Sequence, residues 1–505
     1  IGGRIFLQNE HITAGGMKKS AIPIGIIRFS RNCEYVNICT VRKECFRYIL
    51  GEAGMKSMRG IEIMEQNGKT RSKRSAIIIM GLALFATQFG AGNLIFPPFL
   101  GRDTGSSWFV GFIGFFLMDV GLAVAAIIAT VSNKKGGVDG VMGKIGRIPG
   151  KAMVTAIIIC LGPLIAIPRT AATTYEMGIK LLVPGLPQWA FGAVFYGIAL
   201  LLVIRPTKVV DIIGNYLTPI LLAVMVLLIV MGIVNPIDEA AILANASPMH
   251  DGIVNGYQTL DGIGGVPQTL MMITAACAYG YTTKDEIRQT VSGSALISGT
   301  LLALVYGGLT YLGSTASGIA EFKNLEQAPL LMAITNRLLG SYGVIALTII
   351  VLMACLTTAI GRSAVVGDYF KDLTDGKMQY KHTVIGVIVF SYILSNFGLS
   401  NIIALAGPIL SILYPPLIVL VVMTLLEKVI KNEMSACVGA YVSLLASLAG
   451  TLPMGVISDM AAKLPFAADG LGWIVPAVIG CVVGAFIPKP QSKKAEKLKA
   501  DMNLD

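Results

Sequence analysis

Charge is scarce in this chain. Asp, Glu, Lys and Arg make up 14% of its 505 residues and hydrophobic residues 54%, where an average soluble domain carries roughly 25% charge. A water-soluble enzyme or a disordered segment is excluded by that balance, and a protein that lives in lipid is indicated. Histidine is scarcer still, with His11, His250 and His382 scattered along 505 residues, which argues against a histidine metal site. No H-E-x-x-H or G-x-S-x-G pattern occurs, so the usual metal-hydrolase and serine-nucleophile arrangements have no foothold. The eight cysteines give no disulfide framework. Cys160, Cys277, Cys355, Cys437 and Cys481 fall in apolar runs, and Cys33, Cys39 and Cys45 precede the first run on the side assigned below to the reducing cytosol.

What is abundant is apolar sequence in lengths of about 20 residues, the length that crosses a bilayer as a helix. Twelve such spans are expected, near 75–97, 107–131, 151–177, 188–204, 208–235, 256–281, 290–314, 342–368, 383–397, 400–426, 434–456 and 472–488. The fold class is therefore an all-α polytopic membrane protein. The net charge of +11 does not call for nucleic acid, because the basic residues follow the topology. With the N-terminus inside, the inner connections collect Lys69, Arg71, Lys73, Arg74, Lys134, Lys135, Lys144, Arg147 and many more, including the tail from Lys489. The outer side has only Arg102, Lys180, Lys323, Arg337 and Lys463. That bias expects both termini in the cytoplasm of a cell inner (plasma) membrane protein whose partners are the lipid bilayer and a small molecule. Residues 1–63 lack a long apolar run, clean periodicity and a signal-peptide pattern. They read as a leader upstream of an initiator at Met64, against the alternative of a small regulatory domain. Residues 489–505 read as a basic cytoplasmic tail.

One span is interrupted where interruption costs most. "QFGAGNLIFPPF", 88–99, puts Gly90, Gly92, Asn93, Pro97 and Pro98 in the middle of an apolar run. Irregular backbone at membrane depth is tolerated only where it is buried in protein or lines a cavity, so a break there implies a site. The competing reading is that the glycines merely allow close helix packing. Five spans further on, "NGYQTLDGIGGVPQTLMM" interrupts the sixth span with Asp261, Gly262, Gly264, Gly265 and Pro267. Two breaks in matching positions are the mark of an inverted-repeat transporter. The expected halves are 75–235 and 256–426, with 434–488 as two appended helices and broken helices 1 and 6.

"FGAGNLIFPPFLG", "LGPLIAIPRTAATTYE", "NGYQTLD", "LTTAIG" and "NFGLSNIIALAGPILSILYPP" together resemble the bacterial branched-chain amino acid:cation symporters over roughly residues 75–488. That resemblance implies a five-plus-five fold of the LeuT type, in the amino acid–polyamine–organocation group, and sodium-coupled uptake of leucine, isoleucine and valine. A proton-coupled symporter or an exchanger of the same fold is the alternative. No cofactor is expected beyond sodium as the coupling ion.

Physically, a helix restarting near Ala91 presents the amides of Ala91 and Gly92 to a substrate carboxylate, and Gly90 and Gly92 let that backbone come close. Asn93, Asp261 and Gly262 complete the expected substrate-binding set, with carbonyls at the sixth-span break receiving the ammonium. By the same resemblance, Thr357, Thr358 and the Ala354 carbonyl face the carbonyls of Ala86 and Phe89 around sodium, an oxygen-only set suited to a hard cation. The alternative is that both threonines bond to their own helix. Arg169 and Glu176, two turns apart toward the outer end of the third span, read as a gate or as structural partners. Asp261 reads as a cap of the broken helix or as a partner for the ammonium. Asp119, in "FFLMDVGL", reads as a buried, paired structural group, and "GGVPQ" departs from the family's usual continuation after Asp261.

Overall fold

In lipid, backbone amides and carbonyls find no water, so a spanning segment must satisfy them internally. The computed structural model, which describes residues 72–204, 208–244, 247–453 and 455–488, obeys that constraint with helices alone: no strand occurs among the described residues. All the described residues belong to one compact unit. Residues 1–63 and the tail from Lys489 lie outside the described residues, as do Cys33, Cys39 and Cys45 and the basic residues Lys69 and Arg71.

The first span is two helices, α1 (Lys73–Gln88) and α2 (Ala91–Thr104). After a tight turn, α3 covers 108–132, and a π-helical stretch Leu117–Gly121 in its middle carries Asp119. Short turns at 137–145 lead into α4 (Arg147–Leu182). α4 is itself interrupted: Gly162 is non-helical (φ −109°, ψ −118°) and is followed by Pro163, which has no N–H to donate to the ladder. Then follow α5 (Gln188–Ile204), α6 (Lys208–Val234), α7 (Pro248–Thr259), α8 (Asp261–Ala278) and α9 (Lys284–Ser314). α10 (Gln327–Leu373) bends sharply at Gly340, the non-helical point in its length (φ 65°). α11 (Tyr380–Ser395), α12 (Leu399–Leu425), α13 (Glu433–Thr451) and α14 (Ile474–Phe486) complete the order. Among the described residues, six helical stretches are long and apolar enough to cross a membrane, and four apolar helices are shorter.

Large apolar side chains such as Phe109, Leu201, Leu304 and Ile479 stand exposed on the outside. In water such a surface would be an aggregation liability, whereas against acyl chains it is the favourable one. Inside, α2 packs against α7, α9 and α10, and α8 lies along α3. α13 packs on α14 and on α12, at the periphery of this arrangement. Both interrupted spans therefore meet at the centre, with α3, α4, α9 and α10 as walls.

Candidate functional site

The first break is short. α1 ends at Gln88, Phe89 leaves helical geometry (ψ 89°), Gly90 is extended (φ −113°, ψ −172°), and α2 restarts at Ala91. The first amides of α2 have no intrahelical partners, and Ala86 and its neighbours in the last turn of α1 run out of helical N–H partners in the same way. Two sets of groups, donors and acceptors, thus face one another across a two-residue gap. Pro97 and Pro98 sit further along α2, where they free the carbonyls four residues back, those of Asn93 and Leu94.

The second break is a single residue. Leu260 closes α7 and opens α8 in left-handed backbone (φ 72°, ψ 1°). That conformation costs a bulky residue on the order of 1–3 kcal/mol and persists only where the surroundings enforce it. Leu260 is fully buried. Asp261 is the first residue of α8, and the cap position belongs to Leu260, whose apolar side chain cannot accept a bond. Asp261 Oδ2 accepts from Asn93 and its Oδ1 has no partner, so Asp261 does not cap the helix.

Asn93 joins the two breaks. Three acceptors stand within hydrogen-bond reach of its Nδ2 and share its two N–H groups: the Gln88 carbonyl (2.8 Å), Asp261 Oδ2 and the Tyr306 hydroxyl of α9. Asp261 Oδ1 has no hydrogen-bond partner, although the residue is 1% exposed. Asp119 is close enough for the two carboxyls to act on each other. Its Oδ1 accepts from Thr259 Oγ1 (2.8 Å), the last residue of α7, and Oδ2 has no partner. Gly262 is packed from two sides: a Cβ there would stand 2.6 Å from the Met118 carbonyl of α3 and 2.8 Å from the Tyr414 ring of α12.

Arg169 is not in an outer vestibule. The interruption of α4 carries it to the first break, where it is buried and donates from Nη1 to the Gln258 carbonyl, in the last turn of α7. Its Nη2 is 2.6 Å from where a Cβ on Gly92 would lie, and its guanidinium stands over the Phe96 ring, 5.5 Å from the centroid. Glu176 is elsewhere: its Oε1 accepts from the Leu399 amide (3.0 Å) at the start of α12. Among the described residues the two form no ion pair, so the expectation of direct partners does not hold.

Arg362, on α10, is absent from the set expected from the sequence. It donates to the Leu161 carbonyl (3.3 Å) exposed by the interruption of α4, and its charge acts on Asp261. A signal for it exists, because Arg362 is an ionisable residue inside an apolar run, and such residues are functional candidates by default. With it the centre brings together two arginine and two aspartate side chains, of which Arg169, Asp119 and Asp261 are buried.

Thr357 and Thr358, one turn before Arg362, both donate to the Ala354 carbonyl at 2.9 Å. A hydroxyl that donates once keeps two lone pairs, so bonding to their own helix leaves both able to ligate a cation. The Phe89 ring stacks on Phe85 and on Tyr306. No hydrogen bond among the described residues joins Ala86 or Phe89 to the two threonines.

The model of the family described as "Branched-chain amino acid transport protein" matches residues 73–491. The chain belongs to that family. The branched-chain amino acid permease BraB of Bacillus subtilis is 33% identical over 421 residues, covering 81% of this chain and 94% of that protein. The branched-chain amino acid permease BrnQ of Escherichia coli K12 is 31% identical over 417 residues, covering 81% and 94%. Among solved structures, the nucleobase-cation-symport-1 family transporter Mhp1, closed with bromovinylhydantoin bound, superposes with a TM-score of 0.53 at 11% identity, over 84% of this chain and 96% of that one. That likeness speaks to the fold alone. A member of the branched-chain amino acid transport protein family is a multi-pass membrane transporter and not an enzyme, and the break-centred architecture is the five-plus-five arrangement with broken helices 1 and 6.

Proposed function

We propose that this transporter moves leucine, isoleucine and valine into the cell together with sodium, and that the amino acid lies between the two breaks. The observation that carries the reading is the placement of opposite charges on the two sides of the paired breaks: Arg169 against Gly92 at the start of α2, and Asp261, with one unpartnered oxygen, at the start of α8. A zwitterion needs that pair. Its carboxylate meets the free amides of Ala91 and Gly92 and the Arg169 guanidinium, so Arg169 belongs to the binding set and is not a remote gate. Its ammonium satisfies Asp261 Oδ1, which otherwise carries the desolvation cost of an unmade bond, about 1–3 kcal/mol or more for a charged group. A branched aliphatic side chain adds no polar demand. Gly92 keeps the approach to the guanidinium open and Gly262 the packing of α3 on α8, Gly90 carries the extended turn between α1 and α2, and Asn93 fixes one break to the other.

Sodium is cargo, carried with the amino acid and released with it. Thr357, Thr358, and the carbonyls of Ala354, Ala86 and Phe89 are oxygen donors of the kind a hard cation takes. Glu176 holds the start of α12 against α4 and serves as a structural partner of the outer end. The domain reading follows: 75–235 and 256–426 as inverted repeats, 434–488 appended, both termini cytoplasmic by the basic bias.

Uptake of labelled leucine into proteoliposomes under separately imposed sodium, proton and voltage gradients tests this directly. The expected result is accumulation driven by sodium and increased by an inside-negative potential, which contributes about 2.3 kcal/mol per charge at 100 mV. Thr357→Ala or Thr358→Ala should shift the sodium curve to higher concentration, with the rate partly restored at saturation. Uptake that follows a proton gradient and ignores sodium would replace this mechanism with proton coupling.

A further inference from the structure

A carrier that delivers its substrate must return without it. On that return Asp261 loses the ammonium and keeps its carboxylate, which is buried and whose Oδ1 has no hydrogen-bond partner among the described residues. Leaving a buried charge uncompensated is strongly unfavourable, so the return asks for a cation from the protein itself. Arg169 is engaged at the first break: it donates to the Gln258 carbonyl, and its guanidinium stands over the Phe96 ring against Gly92.

Arg362 is placed for the task. It lies one turn beyond Thr358 on α10, where α10 meets the interruption of α4: a Cβ on Gly162 would stand 2.5 Å from the Val366 side chain, one turn further on. There it donates to the Leu161 carbonyl (3.3 Å). The Leu161 side chain in turn reaches the first turn of α8, which Asp261 opens, with 3.8 Å between Leu161 Cδ2 and a Cβ on Gly264. The charge of Arg362 acts on both Asp261 and Arg169. Among the described residues the Leu161 carbonyl is its one hydrogen-bond acceptor and no carboxylate forms an ion pair with it. The residue is half-buried. A guanidinium has five N–H donors, so one bond to a carbonyl leaves donors for a carboxylate.

We propose that Arg362 is the counter-charge of the returning carrier: it pairs with Asp261 once the substrate ammonium has left and yields Asp261 to the ammonium of the next amino acid. This rests on the reading that Asp261 receives the ammonium. In neither transit is the carboxylate then buried alone. Arg362 competes with the substrate for Asp261, weakening the hold on the ammonium and speeding the return.

Net uptake needs the empty carrier to return, and exchange does not. Arg362→Gln should therefore lower net leucine uptake into proteoliposomes at least tenfold, while counterflow of labelled leucine against a saturating internal load changes no more than about threefold. In the same variant 3-methylbutylamine, an amine without a carboxylate, should inhibit counterflow at severalfold lower concentration, because no arginine competes for Asp261. Arg362→Lys keeps the charge and should hold net uptake within about threefold of wild type, a rescue that restored packing alone does not supply. Counterflow itself reports folded protein, and Arg362→Met, a second neutral replacement, repeats the test should the amide disturb folding. Net uptake and counterflow falling in proportion in the neutral variants, or net uptake undiminished in them, overturns the proposal. Failure of the underlying reading looks different: with Arg362 intact, inhibition by 3-methylbutylamine that is unaffected by Asp261→Glu removes the ammonium from Asp261 whatever Arg362 does.

Discussion

The two breaks meet the same physical problem in opposite ways. The first is made with glycine: Gly90 is extended, a Cβ there would come no nearer than 3.9 Å to another atom, and the gap exposes amides that donate. The second is made by force. A fully buried leucine is held at φ 72° with no glycine at the turn itself, and the residues that follow it bring a carboxylate that accepts. One break is permissive and offers positive ends, and the other is strained and offers negative charge. A transporter of zwitterions gains from that asymmetry, because orientation is set before the side chain of the substrate is read.

The largest effects should come from the charges. Asp261→Asn and Arg169→Ala should each reduce leucine uptake by about 100-fold or more in proteoliposomes holding equal amounts of folded protein, since removing one member of a buried charged set costs on the order of 3–5 kcal/mol. Near-normal uptake by either variant would detach that break from the substrate. Next come the glycines, which sharpen the contrast within one break. Gly92→Ala should raise the half-saturation concentration at least tenfold, because its Cβ would meet Arg169 Nη2 at 2.6 Å, whereas Gly90→Ala has room and should change it no more than about twofold. Equal sensitivity at the two positions would mean that flexibility, not approach to the guanidinium, is what the break requires. Strain at the second break predicts a stability effect instead. Leu260→Ile places a β-branched side chain in left-handed backbone and should lower folding stability by about 1–2 kcal/mol, read as a lower thermal midpoint in detergent. An unchanged midpoint would show that the turn relaxes freely. The smallest effect is expected at Tyr306→Phe, which removes one of three acceptors around Asn93 Nδ2. A loss of about 1 kcal/mol in stability and less than tenfold in uptake is expected.

Much of this is legible in the residues. The restart of the helix at Ala91 follows from Gly90 and the prolines, and the second break follows from counting spans, because an inverted repeat fixes where its partner must be. The rest depends on geometry that periodicity does not carry. No pattern signals that Leu260 adopts left-handed backbone, so the residues alone suggest for Asp261 a cap that it does not make. Arg169 reads as an outer-end residue only if α4 is continuous, and the turn at Gly162 removes that premise. α10 begins at Gln327, well before the apolar run near 342, because its opening residues up to Gly340 are amphipathic and carry no transmembrane signal. Arg362 is visible as a charge in an apolar run, but no motif ties it to the breaks. Asp119 is buried beside Thr259 as a structural reading expects, and its second oxygen is unpartnered.

The assignment of the two ends of the substrate is tested most directly by inhibitors that keep only one of them. Leucine uptake should be competed by 4-methylpentanoate, which lacks the ammonium, and by 3-methylbutylamine, which lacks the carboxylate. Inhibition should be measured in wild type, in Arg169→Lys and in Asp261→Glu, conservative variants chosen to retain measurable transport. The account predicts a double dissociation: Arg169→Lys weakens inhibition by the acid and not by the amine, and Asp261→Glu weakens inhibition by the amine and not by the acid. Parallel changes for both inhibitors in both variants would contradict it and place the amino acid somewhere other than between the breaks.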